Sequence, residues 1–530
     1  FTLLDSDWDH FQPMMEAALA RVPALETAGI RTLVNGPESF TPDGNFILGE
    51  APEVPGFFVG AGFNAFGIAS AGGAGRALAE WIEAGEPPMD LWPVDIRRFG
   101  APHQDVDWVR ARTLELYAKH YTVAWPAEEH VSARPRFVSP LYGRLKAAGA
   151  VFGNKMGWER ANWFAPPGTA REDRYSFADP NWTTAVAAEH RAAREQAALF
   201  DQTSFAKFTL KGRDAEQALS WIAAGDVAKP PGAVTYTQLL NARGGIEADL
   251  TAVRLAADSY YIVTGTGFRT RDFDWIARHI PANLDARLVD VTEDFATLAL
   301  MGPKSRAILA AVNDADMGNA AFPFMTWQDL PIAGVKVRAL RVTYVGELGW
   351  ELHIPTAHAE RIFDALVAAG RHHGLALAGY RAIETLRLEK GYRAWGADIN
   401  PDSNPFEAGL GWAVKLKSGA PFQGRAALRT AKEKPLAKKL ACFAVDDPKI
   451  ALWGRETILR DGHVVGWLSS AGFGHTVGHG IGYGYVRRAE GVDDAFLASG
   501  TYQLEVAGAR VPCRWLKRPP YDPDGARVRG

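Results

Sequence analysis

Asn35-Gly-Pro-Glu-Ser-Phe-Thr-Pro-Asp-Gly-Asn-Phe-Ile-Leu-Gly49, followed by Gly56-Phe-Phe-Val-Gly-Ala-Gly-Phe-Asn-Ala-Phe-Gly67, decides how the front of this chain is read. Two short apolar runs, Ile47-Leu48 and Phe57-Phe58-Val59, are bounded by Pro and Gly and read as strands. The run 67–82 then reads as a helix with a glycine-rich first half: Gly67, Gly72, Gly73 and Gly75. Glycines there let a helix N-terminus approach a planar ligand, with free N–H groups and the positive dipole end facing negative charge. They could equally serve tight helix–strand packing, and spacing leaves both readings open. Gly60-Ala-Gly62-Phe-Asn-Ala65 also fits G-x-G-x-x-A, with Glu80 at roughly the offset of a dinucleotide fingerprint. Glu80 falls inside one helical run, however, whereas the fingerprint's acid ends a second strand. The match is set aside.

Working outward, 8–28 reads as an amphipathic helix, with Phe11, Met14, Met15, Ala18, Leu19 and Val22 near a 3.6-residue period. Pro87, Pro88 and Pro93 break the chain and place a boundary near residue 95. Residues 96–155 read as a small connecting unit with helices over 105–120 and 141–150 and a turn at Pro126. From 156 to about 430 the pattern is mixed. Strands are expected at 208–210, 259–264, 287–291, 335–342 and 350–354, and helices at 215–224, 270–279, 304–312, 357–372 and 382–390. After Lys432 the pattern is almost all β with regular glycines, a small barrel or sandwich over 431–530.

The 530 residues suit three or four domains, and 47% hydrophobic with 22% charged residues is an ordinary globular balance. The net charge of −3, without runs of one sign, argues against nucleic acid or anionic membranes as partners. Two cysteines, Cys442 and Cys513, exclude a disulfide framework and suit a reducing compartment. No apolar run reaches the roughly 18 residues of a membrane span.

Two blocks in the second half carry chemistry. The first is Thr235-Tyr-Thr-Gln-Leu-Leu-Asn-Ala-Arg-Gly-Gly-Ile-Glu-Ala-Asp-Leu-Thr251. Gly244-Gly245 permits a tight turn between strands. Asp249 then falls between Ala248 and Leu250 in an expected buried strand, where a carboxylate is costly unless partnered. A salt bridge to Arg254, a turn cap, or an acid aimed at a substrate nitrogen would each account for it. The second block is Val342-Thr-Tyr-Val-Gly-Glu-Leu-Gly-Trp-Glu-Leu352, then Gly379-Tyr-Arg-Ala-Ile-Glu-Thr-Leu-Arg-Leu-Glu-Lys-Gly391 and Gly396-Ala-Asp-Ile-Asn-Pro401. Arg381, Glu384 and Arg387 are i,i+3 neighbours, which favours a solvated ion-pair face worth a few tenths of a kcal/mol per pair. His475 and His479 lie among glycines, in a strand or loop, and are read as hydrogen-bonding rather than metal-binding residues. The seventeen tryptophans are read as core.

The opening stretch, with Gly49-Glu-Ala-Pro52, Gly60 to Ile68 and Ala71-Gly-Gly-Ala-Gly75, resembles the C-terminal part of the D-amino-acid-oxidase-like flavoproteins, most closely the sarcosine and dimethylglycine dehydrogenases. Residues 88–99 fit the same family, as do Ser132-Ala-Arg-Pro-Arg136, Ser139-Pro-Leu-Tyr-Gly-Arg-Leu145 and Met156-Gly-Trp-Glu-Arg-Ala-Asn-Trp163. The phrase Gly-Pro-Glu-Ser-Phe-Thr-Pro-Asp leans toward the sarcosine branch. From about 160 to 525, both chemical blocks and Pro405-Phe-Glu-Ala-Gly-Leu410 resemble the aminomethyltransferase, or T-protein, of the glycine cleavage system.

The resemblance implies an α+β multidomain fold. It would comprise the C-terminal piece of a D-amino-acid-oxidase-like FAD domain (1–95), a connecting unit (96–155), a T-protein-like folate-binding α/β module (156–430) and a small C-terminal β-barrel (431–530). It implies FAD and tetrahydrofolate as cofactors. Gly62, Phe63, Asn64, Phe66, Gly67 and Ile68 would face the flavin. Asp249 would lie near folate N10, Glu351 would grip the pterin, and Tyr344, Tyr236 and Arg381 would line that site, with Glu347 the next candidate acid. The implied activity is oxidative N-demethylation of sarcosine or dimethylglycine, with hydride passing to flavin and the one-carbon unit captured as 5,10-methylenetetrahydrofolate. A flavin-free aminomethyltransferase and a non-catalytic regulatory protein on the same scaffold are the alternatives. The family's GxGxxG, its ribose-binding acid and its flavin-linking histidine have no counterpart here. A nucleotide-binding half is therefore expected ahead of Phe1, and the 530 residues alone are expected to be colourless and inactive toward amines. The partners implied are a small methylated amino acid and folate, with the electron acceptor left open. The compartment would be the cytoplasm, or the mitochondrial matrix in a eukaryote.

Overall fold

The computed structural model describes residues 2–530. Strands Ile47–Glu50 and Phe58–Ala61 pair antiparallel, and helix Gly67–Ala84 packs back on them through Ala74, Ala77 and Trp81. Gly49 has φ +114°, and a Cβ there would lie 2.5 Å from the Trp81 ring, so only glycine lets this helix close on the ribbon. The helix expected over 8–28 is divided. Trp8–Arg21 is α-helical, and a 3-10 turn starts at Pro23, whose ring cannot continue the helix. None of its side chains is fully buried, and Phe11, Met15, Ala18 and Leu19 of the apolar pattern are half-buried.

This front piece is bolted to the rest by buried charge and aromatic packing. Arg97 joins Asp95 at 2.6 Å and Asp274 at 3.4 Å, Arg278 joins Glu50, and Trp92 packs edge-on against Phe268 and Trp395. The helix expected over 141–150 stops early, as Tyr142–Ala147. Gly149 turns the chain at φ +100°, where a Cβ would meet the Ala165 carbonyl at 2.7 Å, and a hairpin follows: Ala150–Lys155 with Trp158–Phe164.

Two sheets form the body. The five-stranded sheet runs Arg287–Asp290, Ala206–Lys211, Ser259–Thr264, Ile246–Ala256, Val234–Leu240. The six-stranded sheet runs Trp327–Ile332, Val335–Leu340, Gly349–Pro355, Phe295–Met301, Ala197–Asp201, Leu375–Leu377, with only the last pair parallel. One face of the five-stranded sheet is covered by helices Ala215–Ile222 and Arg269–His279, through Leu219, Ile222, Trp275 and Ile276. Its other face meets the second sheet, where Val234, Val253, Tyr261 and Val263 pack against Leu340 and Val342. Each fully buried Val or Leu side chain contributes about 1.5–3 kcal/mol, so this seam holds the sheets at fixed separation. The strand expected at 335–342 ends at Leu340, where the chain leaves the sheet toward the Thr343–Glu347 turn.

The C-terminal region closes as a six-stranded barrel in the order Lys438–Val445, His479–Arg487, His463–Gly474, Thr457–Arg460, Tyr502–Val506, Ala509–Leu516. Its glycines admit close strand contact: a Cβ on Gly466 would sit 1.9 Å from the Tyr485 carbonyl. The barrel seats on helix Tyr380–Lys390, and this corrects the expected solvated ion-pair face. Arg387 is 1% exposed, bonded to Asp398 at 2.8 Å, to Ser470 of the barrel at 2.9 Å and to Glu384. Arg381 turns away from Glu384 to Asp173. The barrel supplies the lid that local sequence could not reveal. Among the described residues no His/Cys/Asp/Glu group is placed to hold a metal, and no helix is long and apolar enough to cross a membrane.

Candidate functional site

The Thr235–Thr251 block folds as a hairpin of strands Val234–Leu240 and Ile246–Ala256, with Gln238 opposite Asp249 and Tyr236 opposite Thr251. Side chains alternate along each strand, so Tyr236, Gln238, Asp249 and Thr251 share one face. The Gly-Gly turn is pinned to the 396–401 segment: a Cβ on Gly245 would fall 1.7 Å from the Pro401 carbonyl. On the shared face the Tyr236 hydroxyl donates to Asp249 Oδ2 at 2.9 Å. Arg254 is not its partner, since that guanidinium pairs with Glu216. Burial pushes the Asp249 carboxyl up to about 6, and the phenol's hydrogen bond offsets this only in part. The Tyr236 hydroxyl is driven well above its usual value by burial and by the Asp249 charge. Both side chains nonetheless keep accessible area. Groups that are poorly hydrated yet still reachable line a recess rather than an outer face.

Gln238, which the sequence reading did not single out, is fully buried on this face, and neither atom of its amide has a hydrogen-bond partner. Buried amides are seldom left in that state, and the side chain stands beside the Tyr236 hydroxyl. Trp412 was also missed. It is 74% exposed and stacks on Tyr236, centroids 6.0 Å apart and planes 28° off parallel. Its one signal is that it directly follows the Pro405–Leu410 block.

Tyr344 lies in the turn after Leu340. Its hydroxyl donates to the Arg393 carbonyl at 2.9 Å and its ring stacks on Tyr392. Burial raises its pKa, and Asp249 is among the charges that add to the rise, which places the two in one electrostatic neighbourhood. Glu351 sits on strand Gly349–Pro355 of the other sheet, opposite Leu340 and Ala299. It is 8% exposed, and its carboxylate accepts no hydrogen bond within 3.5 Å; His353 Nε2, at 3.7 Å, is a long and weak partner. His353 is itself buried, its Nδ1 shared between Tyr261 at 3.0 Å and Thr297 at 3.2 Å, and burial lowers its pKa toward the neutral ring. A nearly buried carboxylate without donors is expensive. A ligand edge presenting two N–H groups would satisfy it bidentately.

Glu347 and Arg381 are engaged by other partners. Glu347 is buried against Arg194 at 3.1 Å and accepts from the Tyr521 hydroxyl. Arg381 grips Asp173 with two bonds, 2.8 and 2.9 Å, and lies 3.4 Å over the Trp182 ring. Both are occupied by structural partners.

At the front of the chain, Asn64 takes φ +50° and is buried. Its Oδ1 accepts from Thr41 N at 2.9 Å and its Nδ2 donates to the Gly62 carbonyl at 2.6 Å, which fixes the turn before helix Gly67–Ala84. Phe63 stacks on Phe46 at 4.9 Å. The helix starts with no side-chain cap, so its first-turn N–H groups are free. Phe66 is exposed, Ile68 is 99% exposed, and a Cβ on Gly72, Gly73 or Gly75 would meet nothing. The six residues therefore sit around an open helix N-terminus with a smooth flank, a fit for the flat, electron-rich edge of a flavin.

Sequence families match in tandem along the chain. FAD dependent oxidoreductase covers residues 1–81, and its central domain covers 84–139. The GCVT N-terminal domain covers 141–418, and the glycine cleavage T-protein C-terminal barrel domain covers 438–522. Human mitochondrial sarcosine dehydrogenase is 42% identical over all of this chain, and mouse mitochondrial dimethylglycine dehydrogenase is 34% identical over 99% of it. The chain spans 62% and 60% of those proteins' lengths. The crystal structure of aminomethyltransferase T from Bartonella henselae superposes with a TM-score of 0.61 at 26% identity, covering 73% of this chain and 99% of that one. The chain thus belongs to the GCVT family, and it joins a GCVT domain to FAD-dependent oxidoreductase segments as the sarcosine and dimethylglycine dehydrogenases do.

Proposed function

We propose that this chain carries the folate-using half, and the flavin-facing closing segment, of an enzyme that oxidatively demethylates sarcosine or dimethylglycine and delivers the one-carbon unit to tetrahydrofolate. The observation that carries the reading is the Tyr236–Asp249 pair, a carboxyl poised near neutral pH in a recess, with the under-bonded Glu351 on the facing sheet. FAD, when bound, would supply hydride acceptance from the N-methyl carbon, and tetrahydrofolate would supply the two amines for the one-carbon unit. The residues divide the remaining work. Glu351 and Gln238 supply hydrogen-bonding capacity that the fold leaves unused, which suits a pterin edge. Tyr344 walls the recess and Trp412 stacks at its open side. Asp249 takes or returns a proton, with Tyr236 holding its orientation. At the front, Gly67 and Ile68 present backbone N–H groups, with Phe63, Asn64 and Gly62 shaping the approach. Arg381 and Glu347 support the site by fixing helix Tyr380–Lys390 and the turn after Leu340.

We take the connecting unit to end near residue 140 rather than 155. Val151, Ala161 and Trp163 of the hairpin share cores with the two-sheet body. The other divisions, near 95 and 430, we keep. A bacterial cytoplasm or a mitochondrial matrix suits this chemistry, and the relatives named above are mitochondrial.

Calorimetric titration of the chain with tetrahydrofolate tests the reading. Glu351→Ala is expected to weaken binding by about 1.5–3 kcal/mol, the usual worth of a hydrogen bond to a charged group. Trp412→Ala should cost less, about 0.5–1.5 kcal/mol, as one aromatic stacking contact does. Wild-type affinity in the Glu351 variant would remove that residue from the pterin site. Absence of any folate binding by the wild-type chain would end the reading.

A further inference from the structure

The hairpin Ala150–Lys155/Trp158–Phe164 stands where the oxidoreductase and GCVT parts meet. Its Met156-Gly157 turn seats on the oxidoreductase side: a Cβ on Gly157 would lie 2.7 Å from Pro102 Cγ, and one on Gly100 would lie 3.5 Å from Met156 Cε. Lys155 reaches the other way, its Cε 3.1 Å from where a Cβ at Gly267 would be. The register pairs Lys155 with Trp158 and Gly153 with Arg160, so Lys155 and Arg160 share one face.

Among the described residues neither cation has an ion-pair partner within 4.0 Å. Arg160 lies over the Tyr380 ring, 4.0 Å from its centroid, and its Nε is buried with no hydrogen bond. The carboxylate closest to this face, Glu129 above Gly153, is held by the Asn154 N–H and by Asn162 Nδ2 at 2.7 Å. Lys155 keeps exposed area, yet loss of hydration, helped by the Arg160 charge, lowers its amine. Glu129 offsets only part of the repulsion between the two cations, so an anion that visits them lowers their free energy.

We propose that Lys155 and Arg160 form a carboxylate-binding site between the two halves, one that holds the carboxylate of the methylated amino acid, or of the species derived from it, as it passes to the folate side. This rests on the function proposed above. The amino acid is favoured over folate's glutamate tail by placement. The Met156-Gly157 turn next to Lys155 abuts the oxidoreductase segment, whereas Trp412 marks the solvent-open side of the folate recess.

The test uses methoxyacetate, a sarcosine mimic that cannot be demethylated at nitrogen, with tetrahydrofolate as monoglutamate and pentaglutamate. Affinities are measured by calorimetry on the wild-type chain, Lys155→Met and Arg160→Gln. Methoxyacetate affinity is expected to drop about tenfold or more in each variant, one charge-assisted hydrogen bond's worth, while both folates bind as in wild type. Retained folate affinity also certifies folding. Acetylation of Lys155, followed by mass spectrometry on the wild type, gives a second reading that needs no variant: methoxyacetate should protect that amine. Unchanged methoxyacetate binding, or no protection, overturns the site while leaving the folate reading intact. Selective loss of the pentaglutamate's advantage assigns the pair to the tail and overturns the amino-acid proposal. Failure of the wild-type chain to bind either folate strikes the underlying function instead.

Discussion

Arg194→Met is expected to cost about 3–5 kcal/mol of stability, the usual penalty for leaving buried charges without their partner. Arg194 lies at the junction of helix Thr183–Glu195, the turn after Leu340, helix Tyr380–Lys390 and the barrel. It donates to Glu347 at 3.1 Å, to Glu389 at 3.1 Å, and to the Val345 and Leu386 carbonyls at 2.7 and 3.1 Å. Glu389 in turn accepts from the Thr476 N–H of the barrel at 2.7 Å and meets His190 at 3.2 Å. Methionine matches the length of the side chain but strands two carboxylates that are 1% and 0% exposed. The pH dependence identifies the cause. Burial alone would raise Glu389, but His190, Arg194 and Thr476 outweigh it and leave the carboxyl at about 2, against an ordinary 4.5. A depressed carboxyl contributes stability above its ordinary pKa and loses it as pH falls toward the folded value. The Glu389 part of the gap between wild type and variant should be present at pH 7 and narrow between about 4.5 and 2, while the Glu347 part, its carboxyl raised by burial, closes at higher pH. Chemical denaturation at several pH values reads this directly. Lys336→Met, which removes an exposed pair with Asp329, is the control and should cost under about 1 kcal/mol. Equal losses in the two variants would contradict the account.

The same bolt explains what could and could not be read from the amino-acid sequence. The Thr235–Thr251 hairpin was legible because all of its determinants are local: a Gly-Gly turn, alternating apolar residues and one acid out of pattern. The strand–strand–helix unit at the front was legible for the same reason. The helix carrying Arg381, Glu384 and Arg387 was recognised as a helix, but its burial was not. The residues that cover Arg387 come from Asp398 and from Ser470, eighty-three positions downstream. The helix expected over 141–150 overran its end at Ala147, because the Ala165 carbonyl that Gly149 turns to meet lies outside that window. Trp412 was one of seventeen tryptophans, and only tertiary structure lays it on Tyr236. Glu347 and Glu351 illustrate the limit. Both acids stand in one motif, and only the family resemblance puts Glu351 ahead of Glu347; the fold gives Glu347 a cation and a phenol and leaves Glu351 with a distant imidazole.

Asp249→Asn is expected to uncouple demethylation from folate without weakening the fold. The carboxyl is pushed up to about 6 by burial, against an ordinary 3.8. A raised carboxyl favours the fold while protonated, so its contribution is intact below about pH 4 and is lost as pH rises through 6. At pH 7.5 the ionised side chain works against folding, and an amide of the same size removes that cost. The Tyr236 hydroxyl can still donate to the amide oxygen. Stability of the variant should therefore equal or exceed wild type at pH 7.5, with the difference vanishing near pH 4. Chemistry should move the opposite way. A carboxyl near 6 is ionised often enough at neutral pH to accept a proton and acidic enough to return it, and such groups are worth about 10²–10⁴-fold in rate. In enzyme loaded with FAD, flavin reduction by sarcosine or dimethylglycine should stay close to wild type. Methylenetetrahydrofolate formation should fall by about 10²-fold or more, the low end of that range, with free formaldehyde rising in its place. Folate affinity should fall far less than in Glu351→Ala, because Asp249 is read as acting on a proton rather than gripping the pterin. A purely structural Asp249 predicts the reverse: a lower melting temperature and parallel loss of every activity. Its expected ion-pair partner, Arg254, is already engaged by Glu216. Methylene-folate, formaldehyde and unfolding measured on one preparation at pH 7.5 separate the two. Wild-type product partition together with a drop in stability would remove Asp249 from the chemistry.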